Sequence, residues 1–323
     1  MLHNDEALNR RAHSRADIDE LAQQYNTWGQ WGSDDELGAG NRVTTQTVRA
    51  AAALIRRGEV FSMALPLDKF GPQATGGSRV NPQHVMLLTP ADPSPAQYPT
   101  QRFSDDAVYM PLQAATQWDG FCHFFDGGYS YNRRDLESVT PRGGAAFNSI
   151  TNMKDKAVGR GVLLDIPRFK GRDWLVPGES IQDTDLEECA AAQGVMVGEG
   201  DFVLVRTGQL AEVRSEGSWG AYAGGDAPGL GVSAANFLCS RRVTATATDT
   251  WGVEVKPYET PDVMAPLHVI LLVHAGIYLG EMWDMEALAE DCAQDGVYEF
   301  FVAAQPLTVT GSVGSPLNPL AIK

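Results

Sequence analysis

The chain has 323 residues, of which 41 are acidic and 25 are basic, so its formal net charge is −16. This charge excludes a nucleic-acid partner, because phosphate binding requires a basic face. No apolar run approaches the ~20 residues of a membrane-spanning helix, so no membrane partner is expected. The first residues lack the segments of a signal peptide, and the four cysteines have no closely spaced pair. Both features indicate a reduced, cytoplasmic protein.

The predicted elements mix helices and strands without a repeat or a regular βα order. An amphipathic pattern predicts a helix over residues 16–28, and Thr44 is the expected N-cap of a helix over 45–57. Residues 68–104, rich in Pro, Gly, Ser and Gln, are predicted to form a long loop around His84. Further strands are predicted over 60–66, 161–166, 201–208, 243–248 and 300–310, helices over 184–193, 233–240 and 284–295, and a helix or buried segment over 268–278. This order favours one α/β domain with a mixed sheet.

Four polar side chains recur at even spacing within eleven residues. They are Gln113, Gln117, Asp119 and His123, and they follow an apolar, strand-like run. In an extended strand this spacing places them on one face, whereas Cys122 lies on the other. The stretch therefore predicts a polar site beside an apolar strand, and a thiol nucleophile is not expected there.

Several well-known motifs are absent from the sequence. The chain has no glycine-rich phosphate-binding loop, no dinucleotide-binding fingerprint, no nucleophile elbow and no paired CxxC. These absences leave the stretch from Gln113 to His123 as the best indication of function.

The same stretch resembles the signature His-x-x-x-His-x-Asp-x-x-x-His of the cyclase family, which includes bacterial kynurenine formamidase and isatin hydrolase. Asp119 and His123 match the signature, whereas Gln113 and Gln117 stand at two of its histidine positions. This Gln-Trp-Asp form resembles a longer, divergent branch of the family. Further segments that follow the family's order are 34–41, 161–165, 200–208, 243–250, 275–281 and 314–322.

The resemblance implies a swivelling β/β/α fold in a single cyclase-like hydrolase domain, residues 31–323, after an N-terminal helical extension, residues 1–30. It also implies a homodimer or a larger homo-oligomer. The reaction that it implies is hydrolysis of an amide, a related C–N bond or an ester.

The resemblance also assigns roles to individual residues. His123 is the expected proton donor and acceptor, because an imidazole titrates near neutral pH. Asp119 is expected to bind a divalent cation or to orient His123. Glu281 matches the family's metal-bridging glutamate, and His268 lies near a late histidine position. A surface or capping role explains His268 equally well, and His274 is predicted to be a core histidine.

A divalent metal, zinc or manganese, is the predicted cofactor. Its candidate ligands are Gln117, Asp119, His268 and Glu281. A glutamine oxygen is a poorer zinc ligand than an imidazole and favours a harder ion such as Mn²⁺. Gln117 could equally hydrogen-bond a substrate in a site without metal.

The candidate substrate contacts are Trp118, Phe121, Gln113 and His84. Aromatic side chains such as Trp118 and Phe121 most often belong to the core, although some wall a pocket for a flat substrate. His84 would reach the site from the long loop.

The sequence therefore favours a metal-dependent, amidase-like or lactonase-like hydrolase that acts on a small cyclic or aryl amide, imide or lactone. In this hypothesis activated water attacks the carbonyl, and His123 passes a proton to the leaving group. One alternative is a metal-free cyclase, isomerase or lyase that uses the His123–Asp119 pair. Another is a member that binds a small molecule without catalysis.

Overall fold

The computed structural model describes residues 8–73, 77 and 79–323. Residues 1–7 of the predicted N-terminal extension, and residues 74–76 and 78 of the predicted loop, lie outside the described part. The α-helices are α1 (Arg15–Gln24), α2 (Thr45–Ala52), α3 (Ile166–Phe169), α4 (Asp183–Ala192), α5 (Gln209–Glu216), α6 (Ala234–Ser240) and α7 (Glu286–Asp295). Within the described residues, none of them has the length and apolar character needed to cross a bilayer.

Most of the strands belong to one large sheet. They are β1 (Val60–Ser62), β2 (Gln83–Leu88), β3 (Asp105–Tyr109), β4 (Gln117–Asp119), β5 (Tyr129–Ser130), β6 (Arg134–Asp135), β7 (Val139–Thr140), β8 (Gly144–Ala145), β9 (Val158–Asp165), β10 (Ser180–Ile181), β11 (Phe202–Arg206), β12 (Gly229–Leu230), β13 (Ala245–Thr248), β14 (Tyr278–Glu281), β15 (Glu299–Ala303), β16 (Gly314–Pro316) and β17 (Leu320–Ile322). The large sheet has the order β1-β17-β15-β9-β11-β13-β14-β4-β16. Short two-stranded pairs account for the others.

The centre of the large sheet is parallel and its flanks are antiparallel. Strands β9, β11, β13 and β14 run parallel, and β4 and β15 pair antiparallel at the two sides of this block. Every residue of β11 and β13 is buried, as expected for parallel strands that are covered on both faces. The mixed sheet predicted from the sequence is confirmed.

Two helices end earlier than predicted because the chain hydrogen-bonds elsewhere. Thr44 caps α2 as predicted, but the helix ends at Ala52, since the amides of Arg57 and Gly58 donate to the carbonyl of Lys323. Helix α1 ends at Gln24 instead of continuing through residue 28. The indole of Trp28 donates to the carbonyl of Val273 at 2.7 Å instead.

The long loop predicted over residues 68–104 contains a strand. Strand β2 pairs antiparallel with β3, and every residue of β2 is exposed. Strand β3 corresponds to the strand-like run that precedes Gln113, whereas β2 was missed because its residues are all exposed and follow no alternating pattern.

The even-spaced stretch is not a single extended strand. Strand β4 covers only residues 117–119, and residues 121–123 form a 3₁₀ turn after Gly120. A Cβ atom at Gly120 would lie 2.9 Å from both the amide nitrogen of Ile150 and the carbonyl oxygen of Val313, so this position is closely packed. His123 therefore approaches Asp119 by a turn of the chain and not by strand alternation.

Candidate functional site

The centre of the candidate site is the pairing of β4 with β14. Gln117 lies directly opposite Glu281, and Asp119 lies opposite Leu279. Alternate residues of a strand share one face, so the side chains of Gln117, Asp119 and Glu281 project from the same side of the sheet. This pairing brings together residues that are more than 160 positions apart in the sequence.

A π-helical segment, His268–His274, supplies the third charged group. His268 Nε2 lies 3.8 Å from Asp119 Oδ2 and 3.6 Å from Glu281 Oε1. One ligand atom from each of these three buried residues lies within 4.8 Å of the others. We call Asp119, His268 and Glu281 the floor cluster.

Glu254 fixes the orientation of the His268 ring. Its Oε1 accepts a hydrogen bond from the His268 amide at 2.9 Å and lies 2.7 Å from His268 Nδ1. With Nδ1 held in this way, Nε2 is the ring atom that faces the two carboxylates. A carboxylate behind a histidine in this arrangement is typical of metal sites.

Gln117 reaches the floor cluster through its amide nitrogen. Nε2 donates to Glu281 Oε2 at 2.7 Å and to Asp119 Oδ1 at 3.3 Å. Its Oε1 is buried and has no hydrogen-bond partner among the described residues. Gln117 therefore holds the two carboxylates in place, and Oε1 is the atom that could act as a ligand.

The charges of the floor cluster depend strongly on one another. Burial acts to raise the pKa of Asp119, but His123 and His268 outweigh it and hold that pKa below its usual value. Burial and the neighbouring Asp119 raise the pKa of Glu281. Burial acts to lower the pKa of His268, but the neighbouring carboxylates of Asp119, Glu254 and Glu281 keep it well above its ordinary value.

His123 stands between the floor cluster and solvent. Its Nε2 lies 3.6 Å from Asp119 Oδ1, and its side chain is 22% exposed. It lines a cavity of about 130 Å³ together with Phe124, His268 and Glu281. The ring of Phe124 packs on His268 at 5.3 Å between centroids. A small molecule in this cavity would contact the aromatic ring of Phe124 and the imidazole of His123, which is a group that can donate or accept a proton.

The floor cluster has the donors that a divalent cation needs. Asp119 Oδ2 is fully buried and has no hydrogen-bond partner among the described residues. Two carboxylates and one imidazole, with the unpartnered Gln117 oxygen beside them, form a mixed oxygen and nitrogen set suited to zinc or manganese. The residues present therefore fit a metal ion.

The remaining predicted site residues lie away from the floor cluster. Trp118 is in the core, where its indole donates to the Ala304 carbonyl at 2.8 Å. Phe121 is also buried and stacks on Tyr278 at 4.2 Å. Neither ring lines the cavity, because both belong to the packed interior.

Gln113, His84 and His274 also lie outside the cavity lining. The side-chain nitrogen of Gln113 is buried without a partner among the described residues, and its backbone carbonyl accepts from Arg79 at 3.3 Å. His84 is on the exposed hairpin, 2.8 Å from Asp106. His274 stacks on Trp28 at 5.0 Å. The structure thus places His268, and not His274, in the floor cluster.

Cys122 lies in the 3₁₀ turn and not in a strand; it is buried, and burial raises the pKa of its thiol to about 12. A thiol in this state is a poor nucleophile.

Several residues of the site were not identified from the sequence. Glu254 lies behind His268, and Arg79, Trp251 and Lys256 line the outer part of the cavity. They come from loops with no spacing pattern. The best available signal was the adjacency of Trp251 to a predicted strand end, which favours a site.

Comparison with known proteins agrees with this fold. The family model described as "Putative cyclase" matches residues 21–255. A solved structure described as a novel cyclase is 39% identical, covers 94% of this chain and 99% of that chain, and has a TM-score of 0.83. No curated protein sequence matches significantly.

More distant structures share the fold. Isatin hydrolase A from Ralstonia solanacearum is 18% identical, with a TM-score of 0.61 and coverage of 86% of this chain and 97% of that chain. Isatin hydrolase A from Labrenzia aggregata, solved with benzyl benzoate, is 18% identical, with a TM-score of 0.59 and coverage of 84% and 94%. The single-domain mixed α/β fold predicted from the sequence is confirmed, and the chain belongs to the cyclase family.

Proposed function

We propose that the protein is a metal-dependent hydrolase that acts on a small cyclic or aryl amide, imide or lactone. The observation that carries this proposal is the floor cluster, in which the buried carboxylates of Asp119 and Glu281 converge with the imidazole of His268. One oxygen of this cluster, Asp119 Oδ2, has no hydrogen-bond partner among the described residues. A buried group of this kind is costly unless a cation or a proton compensates it. Its position at a cavity favours a catalytic use.

Asp119, Glu281 and His268 would hold the metal, with Glu254 keeping His268 in the orientation that presents Nε2. When bound, a divalent metal supplies Lewis-acid activation of a water molecule or of the scissile carbonyl. Gln117 maintains the spacing of the two carboxylates through its amide nitrogen.

His123 is the group that would move protons. It is partly exposed, lines the cavity and lies 3.6 Å from the Asp119 carboxylate. In this role it gives a proton to the leaving nitrogen or oxygen as the bond to the carbonyl carbon breaks. Phe124 packs against His268 and gives the cavity an aromatic wall.

A metal-free lyase, isomerase or cyclase is the second candidate. It is favoured by one observation, namely that Gln117 already donates to both carboxylates at 2.7 and 3.3 Å. In this case the neighbouring pair His123 and Asp119 would transfer protons without a metal.

The test is elemental analysis of protein purified without chelators, followed by activity measurements with cyclic and aryl amides, imides and lactones before and after chelation. A stoichiometric metal and an activity that is lost on chelation and restored by zinc or manganese are expected. Activity that survives complete removal of metal would overturn the metal-dependent proposal and favour a metal-free mechanism that uses His123 and Asp119. Ligand binding without turnover of any substrate would indicate a non-catalytic member.

A further inference from the structure

The outer part of the cavity has the opposite charge from its floor. Arg79 and Lys256 both line it and are only partly exposed. We call these two residues the cationic rim. On a chain with a net charge of −16, a local pair of cations beside a buried acidic cluster has to be explained.

Trp251 holds the two cations. The guanidinium carbon of Arg79 lies 4.9 Å from the centroid of the Trp251 ring, and Lys256 Nζ lies 5.5 Å from it. Contacts of this length are cation–π interactions. The indole nitrogen of Trp251 donates to Gln73, and Gln73 donates in turn to the Ala114 carbonyl. The cationic rim is therefore anchored to the segment that leads into β4.

Neither cation of the rim has a carboxylate partner within salt-bridge distance among the described residues. Arg79 donates to the carbonyl of Gln113 at 3.3 Å, and Lys256 donates to the carbonyl of Gly224 at 3.2 Å. Because both acceptors are neutral carbonyls, neither cation is in direct contact with a carboxylate. The rim is thus equipped to bind an anion that enters the cavity.

The other residues that line the cavity indicate the size and the shape of the molecule that carries this anionic group. Phe124 and Tyr258 contribute aromatic surface, and Lys256 Nζ also lies 5.7 Å from the Tyr258 ring. The volume of about 130 Å³ restricts the occupant to a small molecule. Aromatic walls favour a flat ring. Because the cations lie at the rim and the carboxylates at the floor, a bound molecule would place its anionic end at the rim and its neutral scissile group at the floor.

We infer that the protein selects a small, ring-containing substrate that carries a carboxylate, and that Arg79 and Lys256 bind this carboxylate. The inference rests on the proposed function for the identity of the scissile group. Guanidinium and ammonium groups form charge-assisted hydrogen bonds with a carboxylate, and Arg79 can do so with two parallel bonds. Arg79 and Lys256 are thereby specificity-determining residues, and Trp251 positions them.

The competing explanation is that Arg79 only balances the buried acids. Its positive charge contributes to lowering the pKa of both Asp119 and Glu281. If this were its whole role, removing the charge would strengthen metal binding, because the cluster would lose a competing cation. It would also leave the choice between charged and neutral ligands unchanged.

The test is calorimetric binding of benzoate and of benzamide, its neutral counterpart, to the protein as purified and to Arg79→Met, Lys256→Met and the double variant. We expect the unaltered protein to bind benzoate at least ~10-fold more tightly than benzamide, as charge-assisted hydrogen bonds give. Each single variant should lower this ratio, and the double variant should abolish it with the affinity for benzamide unchanged.

Lys69→Met and Arg241→Met are matched controls. Each of these cations also lies over an aromatic ring, Phe70 at 4.8 Å and Phe237 at 4.6 Å, but neither lines the cavity. Both variants should keep the preference for benzoate. Equal binding of the two ligands, or a preference that survives in the double variant, would overturn the inference. Because binding is measured without turnover, these outcomes are separate from a failure of the proposed hydrolase activity.

Discussion

The floor and the rim of the cavity differ in charge, in burial and in the kind of backbone that carries them. The floor cluster is acidic and buried, and Asp119 and Glu281 lie on paired strands of the large sheet. The cationic rim is partly exposed and lies on loops. The difference teaches that strands and short helical segments hold the groups that would perform chemistry, whereas loops hold the groups that would choose the substrate. Substitutions in the floor cluster should therefore change turnover and metal binding, whereas substitutions in the cationic rim should change ligand preference.

The largest effect is expected from Asp119→Asn. The change removes the negative charge of a fully buried candidate ligand while keeping its shape. Turnover should fall ~1000-fold or more, because a bound metal contributes several kcal/mol at ~1.36 kcal/mol per tenfold in rate. Metal content by elemental analysis should fall with it. Asp201→Asn, at a buried acid paired with Arg160 away from the cavity, is the control and should retain both properties.

His123→Ala should lower turnover at least ~100-fold, since a positioned proton donor contributes roughly this much. The metal content should stay the same, because His123 is not part of the floor cluster. Steady-state kinetics and elemental analysis check the two readouts on the same preparation. Unchanged turnover would remove His123 from the catalytic role.

Glu254→Gln should weaken metal binding ~10-fold or more, as loss of a carboxylate behind a ligating histidine does. The amide can still accept a hydrogen bond from the His268 backbone, so the fold should be retained, as circular dichroism would show. Competition with a chelator of known affinity measures the effect. An unchanged metal affinity would mean that Glu254 serves only the structure of the segment 268–274.

Gln117→His should increase zinc affinity, by about tenfold, because an imidazole is the better zinc ligand. Gln113→His is the matched control. The Gln113 side chain does not line the cavity, so this variant should leave the zinc affinity unchanged. Equal zinc titration curves for the Gln117 variant and the unaltered protein would exclude Gln117 from the neighbourhood of the metal.

The smallest effect concerns the pH dependence of stability in the metal-free protein. The pKa of His268 in the folded chain is held well above its unfolded value of 6.5. Protonation of His268 therefore stabilises the fold fully below pH 6.5, and this contribution to the free energy of unfolding is lost as the pH rises through the folded pKa. The melting temperature should therefore fall by a few degrees on going to alkaline pH. His268→Gln should remove this slope. Metal binding should show the opposite trend, because it must displace the proton from His268.

The sequence predicted the floor better than the rim for a physical reason. Asp119, His123 and Glu281 lie in short motifs that resemble those of the family, and a short motif can be recognised in a sequence. His268 stayed ambiguous because its role depends on a buried contact with Glu254, fourteen residues away. Such a contact leaves no periodicity in the sequence.

The rim could not be predicted, because Arg79 and Lys256 are far apart in the sequence and are brought together at the Trp251 ring. Trp118 and Phe121 illustrate the reverse problem. They neighbour the polar residues in sequence, but strand alternation and the turn after Gly120 send their rings into the core. Proximity to a motif therefore says little about which side of the sheet a side chain occupies.

The hairpin of β2 and β3 affects the colloidal behaviour of the protein. It exposes a group of apolar side chains, Val85, Met86, Leu87, Val108 and Tyr109. In the described part of the chain its outer edges pair with no other strand, and such edges favour association with further strands. The net charge of −16 opposes this by repulsion between copies, but salt screens that repulsion over about 8 Å at physiological ionic strength. Concentrated solutions should therefore stay monodisperse at low salt and associate through the hairpin as salt is added.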